Sequence, residues 1–225
     1  MGGTLDGDGV HWLDRFEGSY AAAGRVVQRD ELRRAFDEAE RRAALDDGIT
    51  HCRLEPMVRQ HVGWQFELLG LVDPVLQSRI VSEFVARVRA VTDRNAGLLA
   101  RLVARSLTLG VVSNGCGNVE TLCDEYGYTP YLSAVVDSRV VGLCKPDPAI
   151  FSYAMAALHV RADESLMVGD SFDRDVRPAK ALGMRTAWVR GSRTDECPDP
   201  TLVDIQLRAL PDLWAALVSR SLAFA

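Results

Sequence analysis

The sequence predicts an α/β fold, a parallel sheet covered by helices on both faces and preceded by an all-helical region. Three observations predict it. Apolar stripes at helical spacing follow one another between Trp12 and Val88, short continuously apolar segments alternate with helical ones from residue 107 onward, and polar residues follow directly on several of those segments. Strands that are apolar at every position suit a parallel sheet, because helices bury both of its faces.

In the helical region Trp12, Leu13, Phe16 and Tyr20 form one stripe, and Leu32, Phe36, Ala39 and Ala43 form a second. Met57, Val58, His61, Val62 and Phe66 form a third, after which Asp73 and Pro74 supply a cap and a first-turn proline for a helix carrying Leu76, Ile80, Phe84 and Val88. Each helix has one stripe to bury, so the four are expected to pack on one another as a subdomain. A short helix at Leu98 to Ala104 leads into LTLGVV, which ends at Ser113 and Asn114, and Val119, Leu122, Cys123 and Tyr126 mark the next helix. The alternation continues with a strand at 134–136, a helix at 149–158, a strand in SLMV before Gly169, a helix at 176–182 and a strand at 185–189. A last strand is expected at Leu202 to Ile205, and Pro211 opens a closing helix through Leu213 and Leu217. The first ten residues, MGGTLDGDGV, read as an acidic, glycine-rich loop of the kind that follows a strand, with no strand before it.

Lys and Arg number 26 against 31 Asp and Glu, a net charge of −5 that offers no general attraction to nucleic acid or to anionic lipid. Neither a membrane-spanning apolar run nor a secretory signal is present, which predicts a cytoplasmic protein. The five cysteines are unevenly spread and fit a reduced compartment. Their spacing argues against a metal site; Cys116, just past a strand end, is either a nucleophilic thiol or a small buried hydrophobe. Trp12, Trp64 and Phe66 are candidates for lining a pocket or for packing between helices, and His61 on its apolar face reads as an interhelical residue rather than a base.

The carboxyl ends of parallel strands are where ligands bind, because loops and helix N-termini converge there. Ser113 and Asn114 can donate to a phosphoryl oxygen, with Gly115 allowing close approach. Lys145, in the stiff turn KPDP, can neutralise both a phosphate and a carboxylate. Asp170 and Asp175, at the end of the SLMV strand and on the adjoining loop, are hard oxygen ligands suited to Mg²⁺, while Asp173 reads as solvated. Each feature alone is an ordinary loop, but a donor, a cation and two metal ligands on one sheet edge form a phosphate site.

VVSN at Ser113, KPDPAIF at Lys145, MVGDSFDRD at 167–175 and GGTLD at the front, in that order and spacing, resemble the haloacid dehalogenase superfamily over essentially the whole chain. The resemblance implies a Rossmann-like three-layer core formed by residues 1–8 and 93–225, with residues 9–92 inserted as a helical cap. It also implies a Mg²⁺-dependent phosphatase that acts on a small phosphorylated metabolite through an aspartyl-phosphate. Under it Ser113 and Lys145 hold the phosphoryl group and the nucleophile, Thr4 closes the first motif, Asp170 and Asp175 hold the metal, and Gly2 adds its backbone carbonyl. The nucleophilic aspartate of the family stands four residues before that threonine, so none falls within this chain, and Gly2 takes the place of the general acid. The first strand of the core is expected to be missing with it, leaving the chain as given inactive. Two explanations stay open, a start that lies upstream of Met1 or a real deletion. Alternative functions are a non-catalytic phosphate-binding or relic protein and a haloacid dehalogenase; the oligomeric state is open.

Overall fold

The computed structural model describes residues 1–194 and 196–219. Four helices, α1 (Trp12–Ala22), α2 (Arg29–Leu45), α3 (Leu54–Leu69) and α4 (Pro74–Val103), make up the helical region. Their stripes meet as the periodicity requires. Phe16 stacks on Phe84 at 4.2 Å between ring centroids and on His61 at 5.1 Å, and Leu32, Val58, Ile80 and Phe84 are fully buried. Asp73 starts α4 by accepting the amides of Val75 and Leu76, ahead of Pro74 at the first turn. Replacing Asp73 by alanine should cost about 1 kcal/mol. In a chain of this size that is roughly 2–4 °C in Tm, readable by thermal unfolding; an unchanged midpoint would show that α4 is held by packing alone.

α4 runs without interruption to Val103, so the short helix expected at 98–104 is its last turns, and residue 92 lies inside it. Asp93, Asn95 and Gly97 look like a break in sequence. In the fold, buried Asn95 donates through Nδ2 to the Leu5 carbonyl at 2.9 Å, and the Thr92 carbonyl accepts from Tyr128 Oη at 3.3 Å. These polar groups tether the first loop and the following segment to a helix that passes under both.

The core then alternates as expected: β1 (Gly110–Ser113), α5 (Val119–Glu125), β2 (Ala134–Asp137), α6 (Ser138–Val141), α7 (Pro148–Leu158), β3 (Leu166–Gly169), α8 (Arg177–Ala181), β4 (Arg185–Val189), β5 (Ile205–Leu207) and α9 (Asp212–Ser219). All pairings are parallel. β1 lies beside β2 with Val111 opposite Val135, and β3, β4 and β5 follow one another with Val168 opposite Ala187 and Trp188 opposite Gln206. The last strand is Ile205–Leu207 rather than 202–205, because Asp199 caps a single turn of 3₁₀-helix at Pro200–Leu202 that uses up those residues.

The five described strands form two sheets rather than one continuous sheet, in keeping with the expected absence of the core's first strand. Residues 2–9 are consecutive turns and add no strand. Among the described residues β1 and β3 are unpaired with each other, and an apolar cavity of about 360 Å³ lies between them, lined by Val111, Val112, Met167, Val168, Leu98 and Phe151. No described helix is long and apolar enough to cross a membrane.

Candidate functional site

The first loop folds over the carboxyl ends of β1 and β3 and brings the two sheets' polar residues to one place. Met1 sits there with its nitrogen 3.4 Å from Ser113 Oγ. Thr4 Oγ1 donates to Asp170 Oδ1 at 2.7 Å and accepts the Asp170 amide at 3.1 Å. Gly3, at φ 89°, is required by this approach: a Cβ there would lie 2.5 Å from Asp170 Oδ2.

Lys145 Nζ donates to Asp175 Oδ1 at 2.6 Å, with the two side chains 9% and 4% exposed. The Ser171 amide donates to the other Asp175 oxygen at 3.0 Å. Asn114 aims this lysine. Its Nδ2 donates to the Lys145 carbonyl at 2.9 Å and its Oδ1 accepts the Lys145 amide at 2.8 Å. The Asn114 side chain, expected to face a phosphoryl oxygen, is thus engaged by the chain itself at both ends.

Gly2, Ser113, Asn114, Lys145, Asp170 and Asp175 line one cavity of about 150 Å³, and Thr4 reaches it through Asp170. Burial first, and the neighbouring Asp175 charge second, raise the Asp170 carboxyl above its ordinary value, against the opposing hydrogen bond from Thr4. Among the described residues no three His, Cys, Asp or Glu side chains gather as a closed metal cage. Two adjacent buried carboxylates nevertheless fit Mg²⁺, which keeps several waters and takes one or two protein carboxylates, and a dication would relieve the strain of placing two like charges together.

Asp173 is exposed and pairs with Arg177, as a solvated acid should. Neither acid of the first loop is free. Asp6, fully buried, accepts from the Gly3 amide at 2.8 Å, Trp12 Nε1 at 3.1 Å and Arg15 Nη1 at 3.1 Å. Asp8 bonds Arg94, Asn95 and the Leu210 amide. Cys116 lines the cavity, but burial pushes its thiol up to about 11, so it stays protonated at neutral pH. Trp12 touches the cavity, whereas Trp64 and Phe66 are buried among the helices. His61 is an interhelical residue, 3.0 Å from Glu40 Oε1 through Nε2 and 2.7 Å from Gln65 Nε2 through Nδ1.

Residues 79–189 match the family described as haloacid dehalogenase-like hydrolase, a span that contains Ser113, Lys145, Asp170 and Asp175. Over that span the chain is a haloacid dehalogenase-like hydrolase. It is similar to glyceraldehyde 3-phosphate phosphatase of Methanocaldococcus jannaschii, 32% identical over 65% of this chain and 66% of the relative. It is also similar to phosphoserine phosphatase of Thermus thermophilus, 37% identical over 48% of this chain and 45% of the relative. The matches therefore span less than two thirds of these relatives' length. Among solved structures, a haloacid dehalogenase-family phosphatase from Thermococcus onnurineus superposes with a TM-score of 0.55 at 25% identity, covering 91% of this chain and 87% of that one.

Sequence reasoning missed the residues that a family member's helical region contributes to the cavity wall. His11, Phe36, Glu40 and Met57 line it from the helices, and Arg174 lines it from the loop after β3. Burial, then the Arg174 charge, lower the His11 imidazole below its ordinary value, so it is neutral at pH 7. No pattern marks Glu40 in the sequence, where it is one acid among several in DEAERR.

Proposed function

We propose that the site is that of a Mg²⁺-dependent phosphomonoester hydrolase acting on a small phosphorylated metabolite. The observation that carries this reading is the buried 2.6 Å pair of Lys145 and Asp175 beside Asp170, facing the same small cavity as Ser113. The phosphatases among its relatives support the substrate class. In this reading residues 9–92 are the cap, residues 1–8 and 93–225 the core, and the protein is cytoplasmic.

Lys145 neutralises a phosphoryl oxygen, held in place by Asp175 and by the Asn114 clamp on its backbone. The Ser113 hydroxyl donates to a second oxygen. Asp170 and Asp175, together with the Gly2 carbonyl, would hold Mg²⁺, which when bound would supply charge compensation for the phosphoryl group. Thr4 fixes the Asp170 carboxylate.

An aspartyl-phosphate needs a carboxylate free to attack, and Asp6 and Asp8 are both occupied. That observation favours a second reading for residues 1–225 alone: they bind phosphate without turning over an ester. A dehalogenase would leave Asp170 and Asp175 without a task. Calorimetric titration with inorganic phosphate, with and without Mg²⁺, tests the site; one-to-one binding strengthened by Mg²⁺ is expected, and no binding in either condition would overturn it. Incubation with acetyl phosphate and Mg²⁺ followed by intact-mass measurement separates the two readings. No covalent phosphate is expected, and stoichiometric labelling of an aspartate would show that these residues are catalytic by themselves.

A further inference from the structure

We infer that Glu40 selects the leaving group, favouring phosphomonoesters whose alcohol portion carries an ammonium or a hydroxyl and rejecting those that carry a carboxylate. The inference rests on the phosphate site proposed above. Glu40 lies on α2 and lines the same 150 Å³ cavity as Ser113, Lys145 and Asp170. A ligand held by its phosphoryl group in so small a space brings the rest of the molecule to the helical wall.

Glu40 is unlike the other acids of α2, because a buried side chain holds it. His61 is 2% exposed, packed face to face with Phe16, and its Nε2 lies 3.0 Å from Glu40 Oε1. The fully buried Gln65 side chain meets the other ring nitrogen, Nδ1, at 2.7 Å, so His61 is gripped on both sides. That arrangement anchors Glu40 at one oxygen. Its side chain remains 49% exposed and lines the cavity. A charge mounted on a buried, hydrogen-bonded support is a preorganised recognition element, since little freedom is lost when a ligand meets it. The surrounding wall does not cancel that charge: His11 is neutral, and Phe36 and Met57 are apolar. Arg174, which also lines the cavity, is engaged by Ser171, donating through Nε to its Oγ at 3.3 Å. A substrate donor meets an acceptor at Glu40, and a substrate carboxylate meets a like charge. His61 is a positioning residue that acts through Glu40.

The test measures affinities of phosphoethanolamine, glycerol phosphate and phosphoglycolate by calorimetry in Mg²⁺. Each value is divided by the same variant's affinity for inorganic phosphate. The wild-type protein should prefer phosphoethanolamine and glycerol phosphate to phosphoglycolate by about tenfold or more, the effect of one hydrogen bond to a charged group. Glu40→Gln should shrink the ratio of phosphoethanolamine to phosphoglycolate by about tenfold, and Glu40→Lys should reverse it. Both substitutions are at a half-exposed side chain and leave the buried support in place. His61→Gln should shrink the ratio in part, with the circular dichroism spectrum reporting that the helices persist. Ratios unchanged in both Glu40 variants would overturn the inference while leaving the phosphate site intact. Failure of the wild-type protein to bind inorganic phosphate would instead overturn the site, and this inference with it.

Discussion

Replacing Lys145 by methionine should cost about 3–5 kcal/mol of folding stability, a large share of the roughly 5–15 kcal/mol that holds a domain together. The argument is one of desolvation. Lys145 and Asp175 are both nearly inaccessible and meet at 2.6 Å, and removing the ammonium leaves the Asp175 carboxylate with the Ser171 amide as its remaining donor. An uncompensated buried charge is expensive, whereas removing both charges is much less so. The double variant K145M/D175N should therefore recover most of the loss in urea unfolding, and neither variant should bind phosphate. A cost below about 1 kcal/mol for K145M would place the pair with solvent-exposed ion pairs and refute its burial.

Lys145 and Asp175 were legible in the sequence from the segments that carry them. Lys145 stands in a proline-stiffened turn, and Asp175 lies on the loop that follows an apolar strand. The helices were legible because their stripes are regular, and the strands because they are short and continuously apolar. Less regular features were not. The continuity of α4 depends on Asn95 finding the Leu5 carbonyl, a contact across 90 residues that no local pattern encodes. Asn114 was correctly placed at the end of β1, but its engagement with the Lys145 backbone depends on how two distant loops meet. Glu40 was invisible because its role depends on a histidine one helix away.

Asp170→Asn should stabilise the metal-free protein at neutral pH while abolishing its response to Mg²⁺. In the folded chain the Asp170 carboxyl is raised, by burial first and by the Asp175 charge second. A carboxyl raised on folding binds its proton more tightly in the native state than in the unfolded one. Its contribution to stability is therefore complete below the unfolded value, about 3.9, and is lost as pH rises from there through the raised folded value. As pH rises above the unfolded value the wild-type protein therefore bears a growing cost for that buried carboxyl. The asparagine is neutral, nearly isosteric and still able to accept from Thr4 Oγ1, so it should carry no such cost. In EDTA the variant should melt above the wild-type protein at pH 7, by about 2–4 °C for each kcal/mol regained, and the gap should close as pH falls toward 4. Addition of Mg²⁺ should raise the wild-type Tm through preferential binding to the folded state, and should raise the variant's little, because an amide is a poor substitute for a charged oxygen ligand. A variant less stable than wild type at pH 7 in EDTA would show that Asp170 is held by Thr4 and Arg193 well enough to offset its burial. An undiminished Mg²⁺ shift would remove Asp170 from the metal site.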